Sequence, residues 1–305
     1  KKTDGGIMSM LTVEDCIKDL NRCNWYKSEV KETGILKSFL TVKKYENLFY
    51  KTHSNYSKNE ENPIIEDLCD KIEKQKIKTA DNITLDIWDI NPYRCKSYII
   101  FCQGIGSEKS SIFQQKAYLQ FVQNGWGVIA FDYRGRGKSQ GEFSQQGASL
   151  DVKAVYDYLK AKGIKSSSIG IIGHSMGSGV ALDFASKAAT AFTILINPFS
   201  KASDMAKNIA KKVKMPAIIK RILLAMPSCL FPLKNKFDNV NALSKIESPV
   251  LIIHTKKDRT IPVRLARKLY EKNRKSNITY LEIDGYDHEI NAEKTDICLD
   301  FLHHI

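Results

Sequence analysis

The chain has 305 residues and a formal net charge of +13, from 47 lysines and arginines against 34 aspartates and glutamates. Its hydrophobic content of 43%, with 13 Phe, 13 Tyr and 3 Trp, is ample for a packed core and excludes a disordered or fibrous chain. The longest apolar stretch, from Ile222 to Leu233, contains two prolines and is shorter than the roughly 20 residues that a bilayer-spanning helix needs.

The seven cysteines are odd in number, and they form no CxxC pair and no cluster with histidine at zinc-ligand spacing. We therefore expect free thiols in a reducing compartment, with neither a metal nor a cofactor. The first residues, KKTDGGIMSM, contain no signal-peptide apolar region and no initiator Met, which suggests a truncated start. The corresponding expectation is a cytoplasmic protein with peripheral membrane contact.

Residues 1–75 are predicted to form a small, mostly helical N-terminal extension. Helical periodicity is present in LTVEDCIKDLNRC and again in PIIEDLCDKI, where Pro63 opens the second helix. From Lys76 the pattern becomes alternating in KIKTADNITLDIWDIN, with turn residues at Asp81 and Asn82, as in a β-hairpin. We therefore expect a second domain over residues 76–305.

Short apolar strands alternate with amphipathic helices through the rest of the chain. The predicted strands are SYIIFC, WGVIAFD, SIGIIG, AFTILIN, SPVLIIHT and ITYLEID. The predicted helices are SSIFQQKAYLQFVQNG, ASLDVKAVYDYLKAKG, GSGVALDFASKAA, VRLARKLYEKNRK and a last one over about 293–303. This alternation predicts an α/β fold with a mostly parallel central sheet and helices on both faces.

Residues 201–236 carry nine basic residues and one acidic residue, with apolar residues at helical spacing between Pro216 and Pro227. One hypothesis is a mobile helical cap that contacts anionic lipid or an acyl chain. The alternative is a core-packed helix with a solvated basic face. The basic residues are not interleaved with aromatics, so we predict no nucleic-acid partner.

The motif GHSMG, from Gly173 to Gly177, fits GxSxG and lies between a predicted strand and a predicted helix. This context is typical of a nucleophile elbow, in which a tight turn holds a strained serine and the flanking positions must lack bulk. The sequence therefore predicts Ser175 as a nucleophile, with Gly173 and Gly177 shaping the elbow.

A serine hydroxyl needs a base to take its proton and a carboxylate to orient that base. Of the six histidines, only His288 directly follows a predicted strand, whereas His174 is expected to face away from the partner of Ser175. Asp258 follows the strand SPVLIIHT in the same way. Its competitors are Asp238, which follows no strand, and Asp287, which adjoins His288 in sequence.

An oxyanion hole needs two backbone N–H donors, each worth roughly 2.7 to 4 kcal/mol. One donor is expected from Met176, the residue after the nucleophile, and the other from the loop QGIGS after the strand SYIIFC. In the nearby loop FDYRGRGKSQG, Asp132, Arg134 and Arg136 suggest either an anion clamp or, as we favour, a structural brace beside the elbow.

Five segments in order, FCQGIGS, FDYRGRGKSQG, GHSMGSG, SPVLIIHTKKDRTIP and GYDHE, resemble the α/β-hydrolase superfamily, in particular lysophospholipase-like and acyl-thioesterase-like serine hydrolases. The resemblance covers about 76–305 and implies a triad of Ser175, Asp258 and His288. It implies Ile105 and Met176 as oxyanion donors, and a cap inserted at 201–236. In this superfamily the strand before the oxyanion loop and the strand before the carboxylate commonly end in His-Gly. Here the first ends in Gln103-Gly104 and the second in His254-Thr255.

The expected function is hydrolysis of a carboxylic ester or thioester, with a lipid-like acyl substrate, through an acyl-enzyme on Ser175. Because the same triad serves ester and amide cleavage, a peptidase or amidase is the alternative enzyme. A non-catalytic protein that keeps the fold for binding is the third reading. The expected partners are a small acyl substrate and, through residues 201–236, the surface of an anionic membrane.

Overall fold

The computed structural model describes residues 64–105, 107–212, 217–227 and 233–305. Most of the predicted N-terminal extension, including the helical pattern LTVEDCIKDLNRC, lies outside the described residues. So do Gly106 of the predicted oxyanion loop and parts of the predicted cap segment, residues 213–216 and 228–232.

The strands and helices alternate after an initial hairpin, as the sequence predicts. The strands are β1 (Ile72–Lys78), β2 (Thr84–Ile90), β3 (Tyr98–Cys102), β4 (Gly127–Phe131), β5 (Ile169–His174), β6 (Thr193–Ile196), β7 (Val250–Thr255) and β8 (Ile278–Ile283). The described helices are α1 (Glu66–Cys69), α2 (Ile112–Gln123), α3 (Gln145–Ala161), α4 (Met176–Ala185), α5 (Ala202–Lys212), α6 (Ala217–Ala225), α7 (Asn239–Leu243), α8 (Val263–Glu271) and α9 (Ala292–His303), with a 3₁₀ turn at Ser166–Ser168.

The eight strands form one sheet in the order β1-β2-β4-β3-β5-β6-β7-β8. The first two strands pair antiparallel, and β2 pairs antiparallel with β4. From β4 to β8 all neighbouring strands are parallel. The carboxyl ends of the parallel strands therefore meet at one edge, where this kind of sheet places its ligands.

Helices cover both faces of the sheet, because successive strand residues point to opposite sides. In β3, Ile100 and Cys102 pack with the residues of α3, α4 and α8. Ile99 and Phe101 pack on the other face with residues of α2 and α9. The predicted fold class, a mostly parallel α/β sheet with two helical layers, is confirmed.

The hairpin begins earlier than the sequence pattern indicates. Strand β1 starts at Ile72, four residues before the predicted change at Lys76, and the predicted helix after Pro63 is the single turn α1. Because β1 is an edge strand with half of its side chains in solvent, its charged residues obscure the alternation.

The predicted cap segment supplies α5 and α6, which lie between β6 and β7 in the chain. Ser203, Asn208 and Leu223 are buried, whereas Lys211 and Arg221 are exposed. Within the described parts of the chain, no helix has both the length and the apolar character needed to cross a bilayer. The four cysteines described, Cys69, Cys95, Cys102 and Cys298, form no disulfide.

Candidate active site

Ser175 occupies a sharp turn between β5 and α4, as the GxSxG motif predicts. Its backbone has φ 55° and ψ −121°, a left-handed conformation that is strained for a residue with a Cβ. The turn is held because the Ser175 N–H donates to the carbonyl oxygen of Ile196, 2.9 Å away on β6. The strand-to-helix turn thus fixes the serine at the carboxyl edge of the sheet.

Two glycines allow the chain to close this turn. A Cβ on Gly177 would overlap the carbonyl oxygen of Cys102, and a Cβ on Gly173 would lie 2.6 Å from the carbonyl oxygen of Gly177. Both neighbours are main-chain atoms, which cannot rotate away. The predicted need for small residues on both sides of Ser175 has its physical basis in these close approaches.

Ser175, His288 and Asp258 lie in hydrogen-bonding contact. The Nε2 atom of His288 is 2.9 Å from Ser175 Oγ, and its Nδ1 atom is 2.6 Å from Asp258 Oδ2. A carboxylate can only accept, so Nδ1 carries the proton and Nε2 accepts from the serine hydroxyl. This is the tautomer that a serine nucleophile requires of its base.

Asp258 is buried and held in one orientation by its own loop. Its Oδ1 atom accepts from the N–H groups of Thr260 at 2.7 Å and Ile261 at 3.0 Å, which leaves Oδ2 for His288. Burial acts to raise the pKa of this carboxyl, but the His288 hydrogen bond and charge and the Ile261 N–H outweigh burial and hold the pKa below its ordinary value. Asp258 is therefore ionised at neutral pH.

The two competing carboxylates have other partners. Asp238 is the N-cap of α7, where it accepts from Asn241 N, and it forms an ion pair with Lys201 at 2.6 Å. Asp287 accepts from the N–H of Glu289 at 3.0 Å. Of these candidates, only Asp258 is seen bonded to a His288 ring nitrogen.

The loop that carries His288 is anchored through three consecutive main-chain carbonyls. The His288 oxygen accepts from His174 Nε2 at 2.8 Å and from Asn197 Nδ2 at 2.6 Å. The buried Lys294 ammonium donates to the carbonyls on either side, those of Asp287 at 2.8 Å and Glu289 at 2.5 Å. The imidazole is thus aimed by backbone restraints from β5, β6 and α9.

The expectation that His174 faces away from the partner of Ser175 is wrong. Its ring is buried, it lies 5.0 Å from the His288 ring between centroids, and it binds the His288 main chain. The carbonyl accepts, so His174 Nε2 carries the proton and Nδ1 does not. Burial lowers the pKa of His174 to about 4, which keeps the ring neutral.

The predicted oxyanion donors are Met176, at the start of α4, and Ile105, on the loop after β3. Met176 is the first residue of α4, a position whose N–H has no acceptor inside its helix. Gly104 is packed against the serine, since a Cβ there would lie 3.3 Å from the Cβ of Ser175. Ile105 follows directly on this loop, and its role as a donor stays a prediction.

Asp132 and Arg134 brace the neighbouring loops. Asp132 accepts from the N–H of Lys109 at 3.0 Å and forms a buried ion pair with the Lys109 ammonium. Arg134 forms ion pairs with Asp151 at 2.8 Å and Asp81 at 2.6 Å. These partners support the structural reading over an anion clamp at these two positions.

One group of described side chains has the chemistry to hold a metal ion: His174, His288 and Glu289 present donor atoms within 4.8 Å of one another. The group shares His288 with the predicted triad. The contacts of that residue with Asp258 and Ser175 occupy both of its ring nitrogens.

Comparison with known proteins gives the same fold. Residues 94–235, just under half of the chain, match the hydrolase family described as serine aminopeptidase, S33. An esterase from Pyrococcus furiosus covers 76% of the chain with a TM-score of 0.61 at 23% identity, over 92% of its own length. A ferulic-acid-bound Est1E structure from Butyrivibrio proteoclasticus covers 75% with a TM-score of 0.57 at 18% identity, over 98% of its own length.

Among curated relatives, the uncharacterised protein YqkD of Bacillus subtilis is 28% identical over 230 residues, which are 72% of this chain and 73% of YqkD. The lysophosphatidylserine lipase ABHD12 of Mus musculus is 30% identical over 184 residues, which are 56% of this chain. The chain spans 44% of the length of that lipase.

The eight-stranded sheet and the structural neighbours show the α/β-hydrolase fold, which confirms the resemblance inferred from the motifs. The family match over residues 94–235 supports a hydrolase.

Two contributors to the site, Asn197 and Lys294, are absent from the sequence-based predictions. Asn197 directly follows β6 and has a φ of 49°, which asparagine tolerates better than most residues. A polar residue just after an apolar strand is the signal that could have identified it. Lys294 lies in the first turn of α9 and has no comparable signal, because most lysines at such positions are solvated.

Proposed function

We propose that the protein is a serine hydrolase that cleaves a carboxylic ester or thioester through an acyl-enzyme on Ser175. The observation that carries the proposal is the continuous hydrogen-bond path from Ser175 Oγ through His288 to Asp258, with distances of 2.9 and 2.6 Å. The strained backbone of Ser175 supports the same role, since strain of this kind is concentrated at functional sites.

In the proposed reaction, Ser175 Oγ attacks the acyl carbon while His288 Nε2 takes the hydroxyl proton. Asp258 remains ionised and stabilises the imidazolium that forms. The tetrahedral oxyanion accepts from the N–H groups of Met176 and Ile105. His288 then protonates the leaving alcohol or thiol, and a water molecule that His288 deprotonates releases the acid from the acyl-enzyme.

The proposed partner is a small, lipid-like acyl substrate, with no cofactor and no nucleic acid. The basic helices α5 and α6 support a peripheral contact with an anionic membrane. A peptidase or amidase remains the second candidate, because the matched family is described as a serine aminopeptidase. The third candidate is a non-catalytic binding protein. The intact hydrogen-bond path from Ser175 through His288 to Asp258 argues against it.

The direct experiment is hydrolysis of p-nitrophenyl esters from acetate to palmitate by the wild type and Ser175→Ala, with aminoacyl p-nitroanilides in parallel. We expect ester turnover that falls by about 10⁴-fold or more in the variant, while circular dichroism shows an intact fold. Faster cleavage of the anilides would favour the aminopeptidase. Absence of turnover and of fluorophosphonate labelling at Ser175 would refute the hydrolase.

A further inference from the structure

A recess of about 350 Å³ lies between α5, α6 and α8, apart from the predicted triad residues. Its apolar lining comes from Leu224 and Leu265. Its charged lining contains four cationic side chains, Lys207, Lys211, Arg264 and Lys268. The volume falls within the range of small-molecule sites and exceeds what a few water molecules fill.

The positive charge in the recess is only partly balanced. Asp204 is the only carboxylate among the described lining residues, and it forms an ion pair with Lys268 at 2.8 Å. Among the residues that the structure describes, Lys207 and Lys211 have no carboxylate within ion-pair distance. Four cations against one carboxylate leave an excess of three positive charges, and an anion in the recess would relieve their repulsion.

The cations form two rows that face each other. Lys207 and Lys211 are four residues apart on α5, and Arg264 and Lys268 are four residues apart on α8, so each pair lies on one face of its helix. The two helices are joined by the Asp204–Lys268 ion pair and by a hydrogen bond of 2.5 Å from Arg264 to Asn208 Oδ1. These two cross-links fix the walls of the recess.

One wall of the recess begins close in sequence to the predicted triad. Helix α8 follows the loop that holds Asp258, and Arg264 is in its first turn, six positions after that aspartate. The planar guanidinium of Arg264 offers several donors in a fork that matches phosphate oxygens, while Lys207 and Lys211, which pair with no described carboxylate, supply two further positive charges.

We propose that this recess is a binding site for a phosphate group. The group is carried either by a soluble phosphoester or by a lipid headgroup, and the apolar lining formed by Leu224 and Leu265 contacts the attached carbon chain. Phosphate binding itself is independent of the hydrolytic reaction. The corollary that the preferred esters carry a phosphate rests on the proposed hydrolase function.

The test compares the wild type with the double variant Lys207→Gln/Lys211→Gln. Neither ammonium bonds to another described side chain, so the variant should retain the fold. The matched control is Lys160→Gln/Lys165→Gln, which removes the same charge from exposed positions at the end of α3 and just after it. Inorganic phosphate and glycerol 3-phosphate are titrated by calorimetry at constant ionic strength.

We expect saturable binding of both compounds by the wild type and the control, and affinity at least about tenfold weaker in the Lys207/Lys211 variant, since two charge-assisted contacts are lost. Absence of binding to the wild type would overturn the proposal. Equal affinities in all three proteins, or equal losses in both double variants, would overturn it as well.

A vesicle-binding experiment distinguishes a lipid headgroup from a soluble phosphoester as the source of the phosphate. Phosphatidylcholine vesicles with or without phosphatidic acid are sedimented with each protein. Loss of phosphatidic-acid-dependent sedimentation in the Lys207/Lys211 variant alone would support a lipid headgroup. Unchanged sedimentation together with lost glycerol 3-phosphate binding would support a soluble phosphoester.

Hydrolysis of neutral p-nitrophenyl butyrate distinguishes failure of this site from failure of the proposed function. The Lys207/Lys211 variant should hydrolyse this ester at the wild-type rate, because the ester has no phosphate. If the wild type hydrolyses the ester but binds no phosphate, the proposed phosphate site is overturned and the proposed hydrolase function is not. Phosphate binding by a protein that hydrolyses no ester would support the site and refute the hydrolase.

Discussion

His174 Nε2 lies 2.8 Å from the main-chain carbonyl oxygen of His288, so the residue before the proposed nucleophile holds the backbone of the proposed base. Asn197 donates to the same oxygen. The serine and the histidine are therefore connected twice, once through their reacting side chains and once through this anchored carbonyl. The second connection fixes where the imidazole stands before any substrate binds.

Replacing the anchor tests its contribution to turnover. Asn197→Asp keeps the acceptor that binds the Thr255 N–H but substitutes an acceptor for the donor that faces the His288 carbonyl. An unpaired buried polar group costs about 1–3 kcal/mol, so we expect kcat to fall roughly tenfold or more with a smaller change in KM. The measurement is steady-state hydrolysis of a p-nitrophenyl ester.

The matched control is Asn239→Asp. Asn239 is also buried and donates to a main-chain carbonyl, that of Phe199 at 2.8 Å, but it lies outside the site. Both variants should be less stable than the wild type. Only Asn197→Asp should show a fall in kcat larger than its loss of stability explains. Equal kcat in the two variants would show that the anchor has no role in positioning His288.

The carboxylate assignment is tested by Asp258→Asn. The amide would donate where the carboxylate accepts, so His288 would take the wrong tautomer and lose its orientation, and we expect a fall in kcat of about 10⁴-fold. Asp238→Asn is the control, because Asp238 caps α7 and should affect stability only. A large loss of turnover in Asp238→Asn with a near-silent Asp258→Asn would reverse the assignment.

His174 should make the protein sensitive to acid. Above pH 6.5 the ring is neutral in the folded and the unfolded chain, and below it only the unfolded chain binds a proton, until the folded pKa of about 4 is reached. Stability should therefore fall as the pH drops from 6.5 towards 4, by up to about 3 kcal/mol from this residue.

Urea unfolding at neutral pH and near the lower end of this range measures the effect. His174→Gln should lose less stability on acidification than the wild type, whereas His303→Gln, at an exposed position, should behave as the wild type does. Parallel losses in all three proteins would contradict the buried neutral state of His174.

Two alanine substitutions should separate folding from chemistry. In Gly177→Ala the new methyl group would overlap the Cys102 carbonyl oxygen, so we expect destabilisation by several kcal/mol and little soluble protein. In Gly104→Ala the nearest atom is Ser175 Cβ at 3.3 Å, so the protein should fold while losing turnover beside the serine. Thermal unfolding and ester hydrolysis report the two effects, and a fully active Gly177→Ala would contradict the close approach.

The contact between the three proposed triad residues could be predicted because each of them follows a strand. Ser175, Asp258 and His288 come after β5, β7 and β8, and the carboxyl ends of parallel strands share an edge. Their chain order then matches a known constellation. Asn197 also directly follows a strand, β6, and could have been found by the same rule, whereas no such pattern marks Lys294, which lies inside α9 and acts on main-chain carbonyls that every residue possesses.

Most of the fold was predictable from local patterns as well. The prediction was wrong at the edge of the sheet, where it placed the start of β1 too late. Buried strands such as β3 are apolar throughout and stand out from the amphipathic helices beside them. Strand β1, IEKQKIK, carries charges on its solvent side and begins before the alternation is visible. The start of β1 is set by its pairing with β2, and a local sequence pattern carries no information about that contact.

The clamp of Lys294 on the His288 loop also has a consequence for a chain that is still being synthesised. Ser175 precedes its proposed base, His288, by 113 positions, and Lys294 is translated later still. A ribosome-bound chain that has already formed β5, α4 and β6 holds the elbow with its Ile196 hydrogen bond but has no proton acceptor for Ser175. The nascent protein should therefore leave surrounding esters intact until α9 has emerged and docked.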